Sequence, residues 1–125
     1  MKLLLIAAAG ALGAVARYGL SGWVQGRATF FPWGTLVVNV LGSFLLGLAF
    51  RYLEATTLPA EWRQAVTVGF LGAFTTFSTF SYEAVAMIQD GDWHQAGWYV
   101  LASVALGLAA VVAGFGAATL TLTAR

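Results

Sequence analysis

Apolar residues run along this chain in four long blocks, separated by short polar interruptions. The blocks cover about residues 3–24, 33–53, 62–88 and 97–122. Each reaches the roughly 20 residues that an α-helix needs to cross a bilayer. The interruptions carry Arg27 and Pro32, then Glu54, Pro59 and Glu61, then the stretch QDGDWH, and all three read as polar turns. No block alternates apolar and polar residues as a transmembrane β-strand of about 9–11 residues would. The pattern predicts an all-α integral membrane protein, with residues 1–125 forming one domain of four transmembrane helices.

The composition supports lipid as the solvent. The chain is 60% hydrophobic and 9% charged, where a soluble domain carries about 25% charged residues. Mean hydropathy is +0.82. Net charge is +1, which excludes the basic footprint of a nucleic-acid binder. Without cysteine and with a single histidine, His94, neither a disulfide nor a histidine-rich zinc site is open to one chain. The first 16 residues also fit a signal peptide, with Lys2, an apolar run and Ala14-Val15-Ala16. Against that reading, the apolar character continues to Val24 and three more blocks follow. All five tryptophans, Trp23, Trp33, Trp62, Trp93 and Trp98, fall near block ends, as an aromatic belt requires.

Charge gives orientation only weakly. Four spans put Lys2, Arg51, Arg63 and Arg125 on one side, and Arg27, with Arg17 if it counts, on the other. The excess favours an inside N-terminus, yet a difference of two or three charges permits insertion in either direction.

Polar residues inside the blocks carry the candidate chemistry. In the second block Thr35, Asn39, Ser43 and Gly47 are spaced by four and share a helical face. Asn39 reads either as a buried interhelical hydrogen bond or as a pore-lining donor. In the fourth block Tyr99, Ser103 and Gly107 repeat the spacing, with Gly114 seven further on. These suit close helix packing, and they also bring O–H donors to one face. Donor rows without an intramembrane carboxylate suit an anion path better than a cation path. Arg17 and Glu83 are charged residues within the apolar blocks, to be read as snorkelling, as a mutual ion pair, or as functional.

The third block is the unusual one. Thr75, Thr76, Ser78, Thr79 and Ser81 fall within seven residues, with Phe77 and Phe80 among them and Gly69 and Gly72 just before. Glycine is a poor helix former, and Thr and Ser offer the backbone competing hydrogen bonds. A helix break near the block's midpoint, at about residue 75, is expected. Such backbone survives at that depth only where protein or a cavity surrounds it, and its freed carbonyls suit a cation. Phe77 and Phe80 pack as ordinary side chains on one reading. On another they present their positive ring edges to a small anion, with Ser78 and Thr79 completing the site.

GAVARY (13–18), FPWGTLVVNVLGSFLLG (31–47) and GFLGAFTTFSTFSYE (69–83) together resemble the bacterial fluoride channels, the Fluc or CrcB family, and the resemblance extends over essentially the whole chain. It implies an antiparallel, dual-topology homodimer in the bacterial inner membrane, with two separate fluoride pathways and passive export of cytoplasmic fluoride. It implies that Phe77 and Phe80 line each pathway edge-on and that Asn39 donates to the ion. Ser78, Thr79, Tyr99 and Ser103 join them along the pathway, while Arg17 and Glu83 belong to the vestibule. Backbone carbonyls of Gly72 and Thr75 would hold a structural sodium ion, Na+, at the dimer centre. Gly107 departs from the hydroxyl found in some relatives, which puts the lower end of the fourth-helix track in question. The partners so implied are fluoride, membrane lipid and a second copy, with no nucleic acid. A small proton-coupled drug or cation exporter wants a carboxylate in its first span, where this chain has Arg17 and no Asp or Glu. A non-catalytic assembly subunit would use the polar rows as interfaces. An enzyme is the least favoured, since no metal cluster, Ser/His pair or paired carboxylates lie in the spans.

Overall fold

The computed structural model describes residues 1–28 and 30–124; Arg125, which entered the charge comparison, lies outside the described residues. Among these residues every element is helical and no strand occurs. Helix α1 spans Lys2–Gln25 and α2 spans Trp33–Glu54. A third helical run follows, made of α3 (Ala60–Gln64), a π-helical segment (Ala65–Leu71) and the short α4 (Gly72–Phe74). Helix α5 covers Phe77–Gln89 and α6 covers Trp93–Thr123.

Local sequence explains most of these limits. Pro32 and Pro59 stand immediately before α2 and α3, where their missing N–H groups are not needed. Gly91 adopts φ +86° in the turn between α5 and α6, a backbone conformation that favours glycine. That tight turn lets α6 begin at Trp93 rather than at Gly97, where the apolar block starts. Helical backbone therefore extends past the apolar stretch, which is the only part that hydropathy reports.

Helices α1, α2 and α6 are each long and apolar enough to cross a membrane. The third block is divided among shorter pieces. Helical backbone stops at Phe74 and resumes at Phe77, with Thr75 (φ −93°, ψ 160°) and Thr76 (φ −150°, ψ 116°) extended. The π-helical segment has no counterpart in the sequence reading. Its i→i+5 bonding widens the backbone and has no residue signature of its own.

Glycine sets the closest approaches between helices. A Cβ on Gly47 would strike the Val111 carbonyl of α6, and one on Gly114 would strike the Phe44 carbonyl of α2. The two helices thus lie backbone to backbone at these levels, as small residues allow in membrane interiors. Gly13 meets the Phe70 carbonyl in the same way, and a Cβ on Gly69 would come within 2.8 Å of the Ile6 carbonyl, so α1 lies flat against the π-helical segment. Tyr99, Leu36 and Ala84 form a buried cluster between α2, α5 and α6, with Phe31, Val40, Phe80 and Met87 packed around it. All five tryptophans remain exposed.

Candidate functional site

The extended pair Thr75–Thr76 is held by a residue from another helix. Asn39 of α2 donates its amide N–H to the Thr76 carbonyl at 2.9 Å and accepts the Thr76 N–H at 2.7 Å. Both backbone groups of Thr76 are therefore satisfied by a single side chain. Asn39 keeps one further amide N–H. Thr76 in turn caps α5, its Oγ1 accepting the Thr79 N–H at 3.2 Å, as Ser and Thr do at helix starts. The Thr76 hydroxyl also meets Thr79 Oγ1 at 3.0 Å and Ser78 Oγ at 3.3 Å.

These bonds strip nearby carbonyls of their usual donors. In a continuous helix the Thr76 N–H would serve the Gly72 carbonyl, and the Thr79 N–H would serve Thr75. The first is bound to Asn39 and the second to Thr76 Oγ1. The carbonyls of Gly72 and Thr75 are thereby left as hard oxygen acceptors, the ligand type an alkali cation takes. Between them, the Ala73 carbonyl accepts Arg17 Nε from α1 at 3.1 Å. Arg17 thus reaches the short helix just before the interruption.

Glu83 lies elsewhere. Its Oε1 accepts the Thr35 hydroxyl at 2.9 Å and its Oε2 accepts the Tyr99 hydroxyl at 2.6 Å. Arg17 and Glu83 are each bound to different partners, so the ion pair weighed for them does not form. Tyr99 is fully buried, and its O–H is committed to the carboxylate.

The rings form a connected row. Phe77 and Phe80 lie 5.6 Å apart at 49°, and Phe80 and Tyr99 lie 5.2 Å apart at 57°. Phe31 meets Tyr99 edge-on at 5.4 Å and 86°. Tilted and edge-on geometries are the ones that direct positive ring edges sideways. Phe77 is 78% exposed at the surface of the chain, whereas Phe80 is partly buried. A cavity of about 200 Å³ is lined by Asn39, Gly42, Ser43, Leu46, Thr75, Thr76 and Phe77. Ser43 Oγ stands 3.8 Å from where a Gly107 side chain would begin. The hydroxyl of Ser103 is buried with no hydrogen-bond partner. Ser81 donates to the Phe77 carbonyl at 2.9 Å, a bond within its own helix.

Asn39, Thr75, Thr76 and Phe77 are thus brought together at one cavity, Phe80 and Tyr99 continue from it, and Arg17 binds two residues before it, at Ala73. Sequence reasoning passed over Thr76 as a cap, although a threonine before a resuming helix is the usual signal. It placed Thr35 on the Asn39 face without pairing it to Glu83, since nothing local links residues 48 positions apart.

A family model described as "CrcB-like protein, Camphor Resistance (CrcB)" matches residues 4–115. Among curated relatives, "Fluoride-specific ion channel FluC" of Geobacter sulfurreducens is 54% identical over 120 residues, covering 93% of this chain and 95% of the relative. The protein of the same name from Hahella chejuensis is 52% identical and covers 96% of both chains. That of Thermus thermophilus is 48% identical over 91% of both. These relatives are named as ion channels and not as enzymes.

Proposed function

The chain belongs to the CrcB family, a multi-pass bacterial membrane protein, and from that premise we propose that it is a fluoride-selective, passive ion channel of the plasma membrane. The observation that carries the reading is the Asn39–Thr76 clamp, which opens a small cavity at an interrupted helix and sets the Phe77 and Phe80 rings beside it.

Fluoride is small and strongly hydrated, so its water must be replaced by dense, fixed donors. The free N–H of Asn39 supplies one. The unpartnered hydroxyl of Ser103 supplies another, and it is the O–H on the α6 face not already committed, since Tyr99 donates to Glu83. Ring edges of Phe77 and Phe80 bridge the drier interval between them. Ser78 and Thr79 sit at the start of α5, where the first N–H groups and helix dipole favour an anion. Ser43 faces Gly107 and restores on α2 the hydroxyl that α6 lacks there. Arg17 draws the anion toward the site from its anchor on Ala73. Larger halides are disfavoured because they gain less than fluoride does from a few fixed donors and ring edges. Nothing in the site couples transport to a second substrate. Flow follows the potential, and an inside-negative membrane drives an anion outward at about 2.3 kcal/mol per charge per 100 mV.

The assembly in this reading is an antiparallel homodimer with two pathways. The exposed ring of Phe77 then has the partner copy for company. The Gly72 and Thr75 carbonyls fit a sodium ion, because each has lost its helical donor; these two oxygens would hold Na+, whose charge would offset their dipoles.

The test is efflux from liposomes containing the purified protein, read with fluoride and chloride electrodes. Fast fluoride release without chloride release is expected. Equal release of both anions removes the selectivity argument, and release of neither removes the channel. Within this test Phe80→Ile, which keeps bulk and removes the ring, is expected to lower fluoride flux at least tenfold, about 1.4 kcal/mol of barrier.

A further inference from the structure

We propose that the cavity between the C-terminal end of α2 and the third helical run binds one phospholipid whose headgroup pairs a phosphate with a primary ammonium, the phosphoethanolamine class. The cavity measures about 370 Å³, and its lining includes Phe50, Glu54, Arg63, Gln64, Thr67 and Val68. It therefore holds a carboxylate and a guanidinium together. Neither side chain makes a hydrogen bond or a salt bridge within 4.0 Å among the described residues. Opposite charges that share a cavity without joining are complementary to a zwitterion that bridges them.

The second observation identifies which zwitterion. Gln64 Oε1 is buried and has no hydrogen-bond partner, a state that is costly if nothing fills it. It is an acceptor, so its missing partner is an N–H or O–H donor. Thr67 Oγ1 already donates to the Arg63 carbonyl at 2.9 Å and can only accept further. Glu54, Gln64 and Thr67 line one cavity and together offer the acceptors that an ammonium with several N–H groups takes. A phosphate alone would satisfy Arg63 and leave Gln64 unmatched. A trimethylammonium carries the right charge but has no N–H to give.

Position identifies lipid as the source. Phe50 and Val68 are 50% and 61% exposed and form an apolar wall beside the polar groups. Exposed Trp62 stands next to Arg63, where tryptophan marks the headgroup level. A soluble phosphoethanolamine would leave that wall uncovered.

The site is independent of the fluoride reading, because headgroup retention is measured without flux. Native mass spectrometry of the detergent-purified protein, given phosphatidylethanolamine, phosphatidylcholine or phosphatidylglycerol with identical acyl chains, provides the test. Phosphatidylethanolamine is expected to be retained about tenfold over phosphatidylcholine, about 1.4 kcal/mol. Gln64→Leu is expected to abolish that preference, and Glu54→Gln to weaken it. Equal retention of the two zwitterions by the wild-type chain overturns the proposal, with no variant needed. So does preference for phosphatidylglycerol, which would leave Arg63 as a general anion contact. Competition by soluble phosphoethanolamine as strong as by the lipid would overturn the lipid assignment. Burial of the cavity by a second copy, read as a disulfide between copies carrying Glu54→Cys, would overturn it as well.

Discussion

Asn39 binds both backbone groups of a single residue on another helix, so removing it leaves two orphans rather than one. Asn39→Ala is expected to lower stability by about 1–3 kcal/mol for each group left dry, and to stop fluoride flux. Thermal unfolding in detergent and liposome efflux check the two effects separately. Asn39→Asp divides them. Its carboxylate still accepts the Thr76 N–H, so much of the stability should return, while the added negative charge should keep fluoride flux near zero. Recovery of flux in that variant would show that Asn39 only holds the backbone. Glu83 is the other residue with two strong partners. Tyr99→Phe keeps the ring and deletes one donor to a partly buried carboxylate. A loss of about 1–3 kcal/mol, seen as a lower unfolding temperature, is the expected result.

At the scale of elements, the start of α5 depends on Thr76. Thr76→Val retains the β-branched shape that suits extended backbone and removes the cap, at about 0.5–2 kcal/mol. Hydrogen exchange should quicken at Thr79, whose N–H loses its acceptor, while Thr76→Ser should exchange as the wild type does. Elements were legible in the sequence to differing degrees. The apolar blocks gave α1, α2 and α6 because length and hydropathy are local properties, and α6 began early only because its first turn is polar. The π-helical segment was invisible, since AVTVGFL reads as ordinary helix and its close approach to α1 leaves no mark in the residue pattern. The hydroxyl run stood out at once, but its bonds did not. Thr75 donates to Leu71, Ser81 to Phe77 and Thr76 to its neighbours, assignments that require the backbone path. The partners of Asn39 and Glu83 lie 37 and 48 residues away. Spacing along one helix places such residues on a face and is silent about what faces them.

For the whole molecule, the backbone approach of α2 and α6 is the tightest constraint. Gly114→Ala puts a methyl on the Phe44 carbonyl, which no rotamer change relieves. It is expected to cost about 1–3 kcal/mol through overpacking, and to reduce the yield of folded protein in size-exclusion chromatography. Gly116→Ala, two residues on, meets nothing within 4 Å and should behave as the wild type. The glycines at both positions look alike in the sequence, and only the packed structure separates them.

The Asn39–Thr76 clamp also bears on biogenesis. Thr76 enters the membrane after α2 in the order of synthesis, so the amide that will satisfy its backbone is already in place when the ribosome delivers it. A nascent chain in lipid has no water to occupy exposed peptide groups while it waits. The order of the helices therefore protects the extended backbone at Thr76 during insertion. A circularly permuted gene that encodes α2 last would make every native bond possible, yet would leave those groups bare until the end of translation.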